Sequence, residues 1–379
     1  MSSLPLKVIK SLEKRKTLGS LRHLKFSKDA VDFSSNDYLG FAGNEQIFQR
    51  AGEILKENFL FRNGSGGSRL LTGNHQLYPL AEKFVAAYHS AEAALIFNSG
   101  YDANIGFFSS VPRRGDVIFY DEFIHASIRD GIGLSAAKAL KFRHNDLEDL
   151  KVKVNRLKND IFGEVYIVTE SIFSMDGDTP NLEAFAAFAE EQKLFLVVDE
   201  AHAVGVKGPG LIAEAGLQDL VFARIVTFGK ALGAHGAAIL GNEQLKDFLV
   251  NYARSFVYST ALPPHSVATI IAAYEFLEKD GAFEVAKLQK NLDRFKDEVS
   301  KRGFQEHFLE SESAIQCCIL PGNELVKEAS GKLLEANFDV RPILSPTVPE
   351  HMERLRICLH SFNTEEEIHA LFNALRGII

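Results

Sequence analysis

The chain has 379 residues, 46% of them apolar and 24% charged, which excludes a peptide, a disordered tail, a collagen-like repeat and a coiled coil. Its 42 Lys and Arg against 50 Asp and Glu leave a net charge of -8, with no basic run to neutralise a track of phosphates, so no nucleic-acid partner is expected. Cys317 and Cys318 adjoin and suit no disulfide, Cys358 stands apart, and neither a signal peptide nor a stretch of ~18 apolar residues is found, so a cytoplasmic protein with no membrane attachment is expected.

Residues 1–44 read as an N-terminal arm, with Lys, Arg and Leu at helical spacing over 1–30 and then Val31-Asp32-Phe33 leading into the turn-rich Ser34–Gly40. Residues 45–264 form the large domain, where short apolar runs alternate with helical patterns, as in a mostly parallel sheet. Its strand candidates are Ala93–Phe97, Val117–Tyr120, Ala139–Phe142, Val165–Thr169, Leu194–Val198, Arg224–Thr227 and Ala237–Leu240. Seven strands with helices between them predict an open α/β sheet covered by helices rather than an eight-stranded barrel. Pro263-Pro264 punctuates the chain, and residues 265–379 read as a long helix (266–302) followed by a smaller α/β domain. In it Ala314–Leu320 and Leu355–Leu359 are strand candidates, and Thr364 with Glu367 opens a closing helix that runs to Leu375.

Familiar signatures fail. Gly64–Arg69 lacks the third glycine of a dinucleotide fingerprint, and Arg224 stands where a P-loop ending at Gly229-Lys230 needs its first glycine. There is no HExxH, CxxC or GxSxG, and no metal is expected. Three segments remain, each at the carboxyl end of a predicted strand, where α/β sheets place ligands. The run Leu194–His202 delivers Asp199 and His202 from an apolar strand, and a carboxylate there needs a cation or a protonated ring nitrogen. In Ile225–Gly233, Lys230 sits among small residues that desolvate it, which suits it to a Schiff base with an aldehyde. Phe97–Asn104 is a strand-to-helix turn whose small residues expose backbone N–H groups, an anion cradle without a Walker sequence. An anion cradle, an acid for a ring nitrogen and an imine-forming lysine together are the equipment of a pyridoxal phosphate site.

With these residues in place, the chain resembles the α-oxoamine synthase family of fold-type-I pyridoxal phosphate enzymes. The match runs from Phe33 to Phe362 through Asn36–Gly40, Gly64–Leu70, Ser99–Asn104, His125-Ala126-Ser127, Ser174–Asp178, Asp199–His202, Thr227–Gly233, Ser259–Pro264 and Pro346–Pro349. The resemblance implies pyridoxal 5'-phosphate as cofactor and a homodimer with shared active sites. It implies that Lys230 carries the cofactor and moves the Cα proton, Asp199 holds the pyridine nitrogen protonated, His202 bonds the ring hydroxyl near Ser174, and His125 stacks on the ring. It also implies a phosphate cradle of Ser99, Gly100, Tyr101 and Thr227, with Ser259 or Thr260 reaching it from the partner subunit. Arg356 is implied as the clamp on the amino-acid carboxylate, with Asn36 and Thr347 lining the substrate pocket.

The implied reaction is a decarboxylative condensation of L-alanine with a pimeloyl thioester, carried on coenzyme A or on acyl carrier protein. Glycine with acetyl-CoA, serine with a long acyl thioester, and a non-catalytic partner subunit are the alternatives, since specificity follows pocket shape. The chain departs from the family pattern at Leu344-Ser345 and at His360–Asn363, which bears on the acyl chain and not on the cofactor.

Overall fold

The structure, a computed structural model, describes residues 4–24, 30–158 and 162–379. All seven strands predicted for the large domain form. They are β1 (Ala93–Phe97), β2 (Val117–Asp121), β3 (Lys138–Phe142), β4 (Val165–Glu170), β5 (Phe195–Asp199), β6 (Ala223–Thr227) and β7 (Ala237–Gly241). They make one sheet in the order β1-β7-β6-β5-β4-β2-β3, with β7 antiparallel to both of its neighbours and every other pairing parallel. Side chains alternate between the two faces: Ile118, Val168, Val197 and Ile225 enter one core with Phe107 and Phe108, while Phe119, Ile167, Leu196 and Val198 enter another with Phe142 and Phe185. Both faces of the inner strands are covered, which is why these read as apolar runs; the edge strand β3 leaves Lys138, Ala139 and Lys141 exposed.

The chain divides into two compact units. One comprises Asp37–Ser174 with Thr179–Val285 and carries the seven-stranded sheet; the other comprises the described part of Met1–Asn36, Met175–Asp178 and Ala286–Ile379. In the second unit β8 (Ile315–Ile319), β9 (Arg341–Ile343) and β10 (Arg354–Cys358) form an antiparallel sheet in the order β9-β10-β8, and Val31–Asp32 pairs in parallel with Phe338–Asp339. Thr364 caps the closing helix Glu365–Leu375 through a capping box with Glu367. The helix after Pro263 spans Pro264–Arg302, with Pro264 at its first position, where no N–H is needed. No helix among the described residues is long and apolar enough to cross a membrane.

A buried polar network ties the sheet to its covering helices. Glu200 accepts from Arg224 Nε at 2.7 Å and from Ile212 N at 3.0 Å, and Arg224 donates its other nitrogens to the carbonyls of His89 and Pro209, each at 2.7 Å. Fully buried His89 donates from Nδ1 to the Pro209 carbonyl and accepts at Nε2 from the Tyr274 hydroxyl, both at 2.7 Å, bonds that require the neutral ring. Burial first, and then the Arg224 charge, push the His89 pKa from 6.5 down to about 3. Because the folded value lies below the unfolded one, the stability from neutral His89 is complete above about pH 6.5 and is lost as pH falls toward about 3. We expect acidification from pH 7 to pH 4 to cost about 3 kcal/mol through this group alone. Denaturant unfolding at both pH values should show a smaller acid loss in His89→Gln than in the wild type; equal losses would refute the assignment.

Candidate active site

The carboxyl ends of β1, β2, β4, β5 and β6 carry the candidate residues of the sheet-bearing unit, all but Ser259 and Thr260. After β1, Ser99 caps the helix Gly100–Ser110: its Oγ accepts from Asp102 N at 3.1 Å and donates to Asp102 Oδ2 at 2.8 Å. Gly100 and Tyr101 open that helix, so their N–H groups have no acceptor within it. The Tyr101 hydroxyl donates to the Asp130 carboxylate, which leaves its backbone N–H as its contribution to a cradle. A Cβ on Gly100 would lie 2.7 Å from Thr227 Cγ2, so glycine is what lets the end of β6 close on the helix. Thr227 Oγ1 is buried with no hydrogen-bond partner among the described residues. An orphaned hydroxyl beside a helix N-terminus fits a phosphate group, which accepts from both.

Asp199 ends β5 and is buried. Its Oδ1 accepts from Ala201 N and its Oδ2 from Asn104 Nδ2, each at 2.9 Å. Asn104 also donates to Ser127 Oγ at 3.0 Å, and Ser127 Oγ lies 2.7 Å from His125 Nδ1. Asp199 is thus joined to His125 through two intervening side chains. His125 caps the helix Ala126–Leu134, and its Nδ1 accepts from Ser127 N at 3.2 Å, which places the ring proton on Nε2. The residue is exposed, yet enough protein surrounds the imidazole that desolvation lowers its pKa; Asp199 opposes this and Lys230 reinforces it. A neutral imidazole is the result.

His202 follows Asp199 in a turn and is buried, with its Nδ1 2.7 Å from the Tyr38 hydroxyl. Lys230 is half-buried in the turn after β6, closed by Gly233 N donating to the Lys230 carbonyl at 2.9 Å. Gly233 has φ +59°, and a Cβ there would lie 2.1 Å from Ala42 N, so no other residue fits. The Lys230 charge acts on both His125 and Glu170, which brings the lysine into the same cluster as Asp199. Half-buried Ser174 follows β4 by four residues. Half-buried Ser259 and exposed Thr260 lie against the glycine-rich segment: Thr260 pairs with Ser68, Ala261 N donates to the Gly67 carbonyl at 3.0 Å, and Asn98 Nδ2 donates to the Thr260 carbonyl at 2.7 Å.

Asn36, Thr347 and Arg356 belong to the other unit. Buried Arg356 donates from Nη2 to Asn36 Oδ1 at 3.0 Å and from Nη1 to Cys358 Sγ at 2.8 Å. Its neighbour Arg354 is committed elsewhere, to Asp176 and the Met175 and Met352 carbonyls. Thr347 is exposed, with its N–H donating to the Leu344 carbonyl at 2.8 Å. The departure at 360–363 is a packed corner: His360 N and Nδ1 meet Asn363 Oδ1 at 2.9 and 3.1 Å, and Asn291 Nδ2 donates to the His360 and Asn363 carbonyls. Sequence reasoning missed Tyr38, Asn104 and Ser127, which contact His202, Asp199 and His125, and Glu170, which lies beside them. The first three lie inside the motifs that carry the resemblance, and position in those motifs was the available signal.

The sequence matches the family model described as aminotransferase class I and II over residues 28–375. It is 39% identical over 372 residues to an 8-amino-7-oxononanoate synthase of Emericella nidulans, an alignment covering 91% of this chain and 88% of that protein. Among solved structures it is similar to the serine palmitoyltransferase of Sphingomonas wittichii, with TM-score 0.89, 27% identity, and coverage of 100% of this chain and 99% of that one. It is also similar to an 8-amino-7-oxononanoate synthase from Francisella tularensis, with TM-score 0.75, 27% identity, and coverage of 92% and 97%.

Proposed function

The chain belongs to the aminotransferase class I and II family, and from that premise we propose that it condenses L-alanine with a pimeloyl thioester, with loss of carbon dioxide, to give 8-amino-7-oxononanoate. Pyridoxal 5'-phosphate is its cofactor. The observation that carries this reading is the convergence of Asp199, neutral His125 and Lys230 beside a helix N-terminus and the unpartnered Thr227 hydroxyl. The kinship with synthases of that product at 35–39% identity supports the choice of reaction.

When bound, the cofactor supplies an electron sink for a carbanion next to the amino-acid nitrogen. Lys230 Nζ would hold the cofactor through its aldehyde carbon and, once displaced by the amino-acid nitrogen, would be in place to move the proton at the amino-acid Cα. Asp199, fixed through both oxygens, keeps the ring nitrogen protonated. His202, oriented by Tyr38, would bond the ring hydroxyl with Ser174 nearby, and the His125 imidazole would pack against the ring. Ser99, Gly100, Tyr101 and Thr227 take the phosphate. Arg356, aligned by Asn36 and Cys358, is the group for the amino-acid carboxylate, a task suited to its fork, and Thr347 belongs with Asn36 to substrate binding.

A homodimer in which Ser259 or Thr260 serves the neighbouring chain is part of this reading. What supports it is the exposure of Phe59, Phe61, Leu70, Leu71 and Tyr258 in the flanking segments, apolar side chains that a partner chain would cover. A second reading, serine with a long acyl thioester, is favoured by the backbone similarity to serine palmitoyltransferase.

One experiment separates the two. The protein loaded with pyridoxal phosphate is offered L-alanine, glycine or L-serine in turn. Each is combined with pimeloyl-CoA, pimeloyl acyl carrier protein, acetyl-CoA or a long-chain acyl-CoA, and products are read by mass spectrometry. Alanine with a pimeloyl thioester should give 8-amino-7-oxononanoate fastest. Product from serine and the long chain alone would replace the proposal with the second reading.

A further inference from the structure

One buried acid beside the site has no part in the proposed chemistry. Glu170 is the last residue of β4, is 3% exposed, and stands in register with Asp199 at the end of β5. Its Oε1 accepts from the backbone N–H of His125, and no Lys, Arg or His pairs with it among the described residues. The charged groups that act on it come from each surrounding element: Asp199 at the end of β5, Asp121 at the end of β2 and Lys230 in the turn after β6.

The two flanking carboxylates are well provided with donors. Asp121 lies 2.9 Å from His144 Nδ1 and accepts from Phe123 N at 2.8 Å and Asn145 N at 2.7 Å; Asp199 has Asn104 and Ala201. Glu170 has one neutral N–H. A second anion in register with Asp199, desolvated and without a cation, is the arrangement in which one acid of a pair keeps its proton. Burial, and then Asp199, hold the Glu170 carboxyl well above the usual carboxylate range against Lys230 and the His125 N–H.

We propose that Glu170 is a positioning residue: as a neutral carboxylic acid it anchors the His125 backbone at the start of its helix, fixing the imidazole, and it spares Asp199 a second negative charge on the adjacent strand end. The inference rests on the cofactor reading above for what His125 and Asp199 face, and on geometry alone for the anchor.

The test begins without cofactor. The infrared spectrum of the apoprotein at neutral pH should contain a carbonyl band of a buried protonated carboxyl, shifted in D2O and missing from Glu170→Gln. With pyridoxal phosphate bound, Glu170→Gln, a neutral isostere that still accepts from His125 N, should keep turnover within about threefold and leave the pH profile of the visible band unchanged. Glu170→Ala orphans that N–H and should lose about tenfold in turnover, with the band altered. No infrared difference between the wild type and Glu170→Gln, or a folded Glu170→Gln that is a hundredfold slower, would overturn the proposal. Wild-type protein that takes up no pyridoxal phosphate would overturn the cofactor reading and the positioning role with it, a failure told apart because the wild type itself stays colourless.

Discussion

Lys230→Ala is expected to fold as the wild type does and to lose turnover on the order of 10⁴-fold, the upper range for removing a group that transfers the proton. The fold survives because the turn is held by backbone, through Gly233 N to the Lys230 carbonyl and Ala234 N to the Phe228 carbonyl at 2.8 Å, and alanine retains both bonds. The chemistry is not expected to survive, because in the proposed function one amine both holds the cofactor and moves the Cα proton. Mixed with pyridoxal phosphate, the variant should lack the visible band that the wild type forms, while the Thr227 and Gly100 cradle still takes up the phosphate. A variant that turns over at the wild-type rate would remove Lys230 from the site.

Asp199→Asn is expected to keep the cofactor and lose about 10²- to 10³-fold in turnover, the usual effect of removing one preorganised charge interaction. The structure adds a second cost. Both carboxylate oxygens accept, one from Ala201 N and the other from Asn104 Nδ2, whereas an amide offers a single acceptor oxygen. One donor must therefore face an NH2 group, so a stability loss of about 1–3 kcal/mol should accompany the kinetic one. Thermal unfolding of the apoprotein measures the structural part and turnover of the loaded enzyme the electrostatic part. Turnover unchanged at saturating cofactor would show that another group protonates the ring nitrogen.

The strands of the central sheet other than the exposed edge strand β3 were legible because they are covered on both faces and so written in apolar residues. Val31–Asp32, Phe338–Asp339 and Arg341–Ile343 were not legible as strands, since two or three residues carry no periodicity. The same contrast runs through the site. Asp199, His202 and Lys230 announce themselves by polar chemistry at the end of an apolar run, a local signal. Tyr38 acts on a histidine 164 residues away, Asn104 on a carboxylate 95 away, and Glu170 on a backbone N–H 45 away. Such partners exist only once the chain has folded, and no spacing rule in the sequence encodes them. Arg354 and Arg356 are alike in sequence; only folding commits Arg354 to Asp176 and leaves Arg356 with Asn36 and Cys358 as partners.

Asp199 and Glu200 are chemically near-identical neighbours whose side chains leave the strand end in opposite directions, one toward Asn104 and the other into the Arg224 guanidinium. Their division of labour depends wholly on strand phase. A one-residue slip of β5 would turn Glu200 to the face of Asn104 and Asp199 to the opposite face, with every core side chain exchanged between faces at the same time. Length changes in this part of the gene should therefore be tolerated in the turn before Phe195 and nowhere between Phe195 and Glu200, however conservative the residues added or removed.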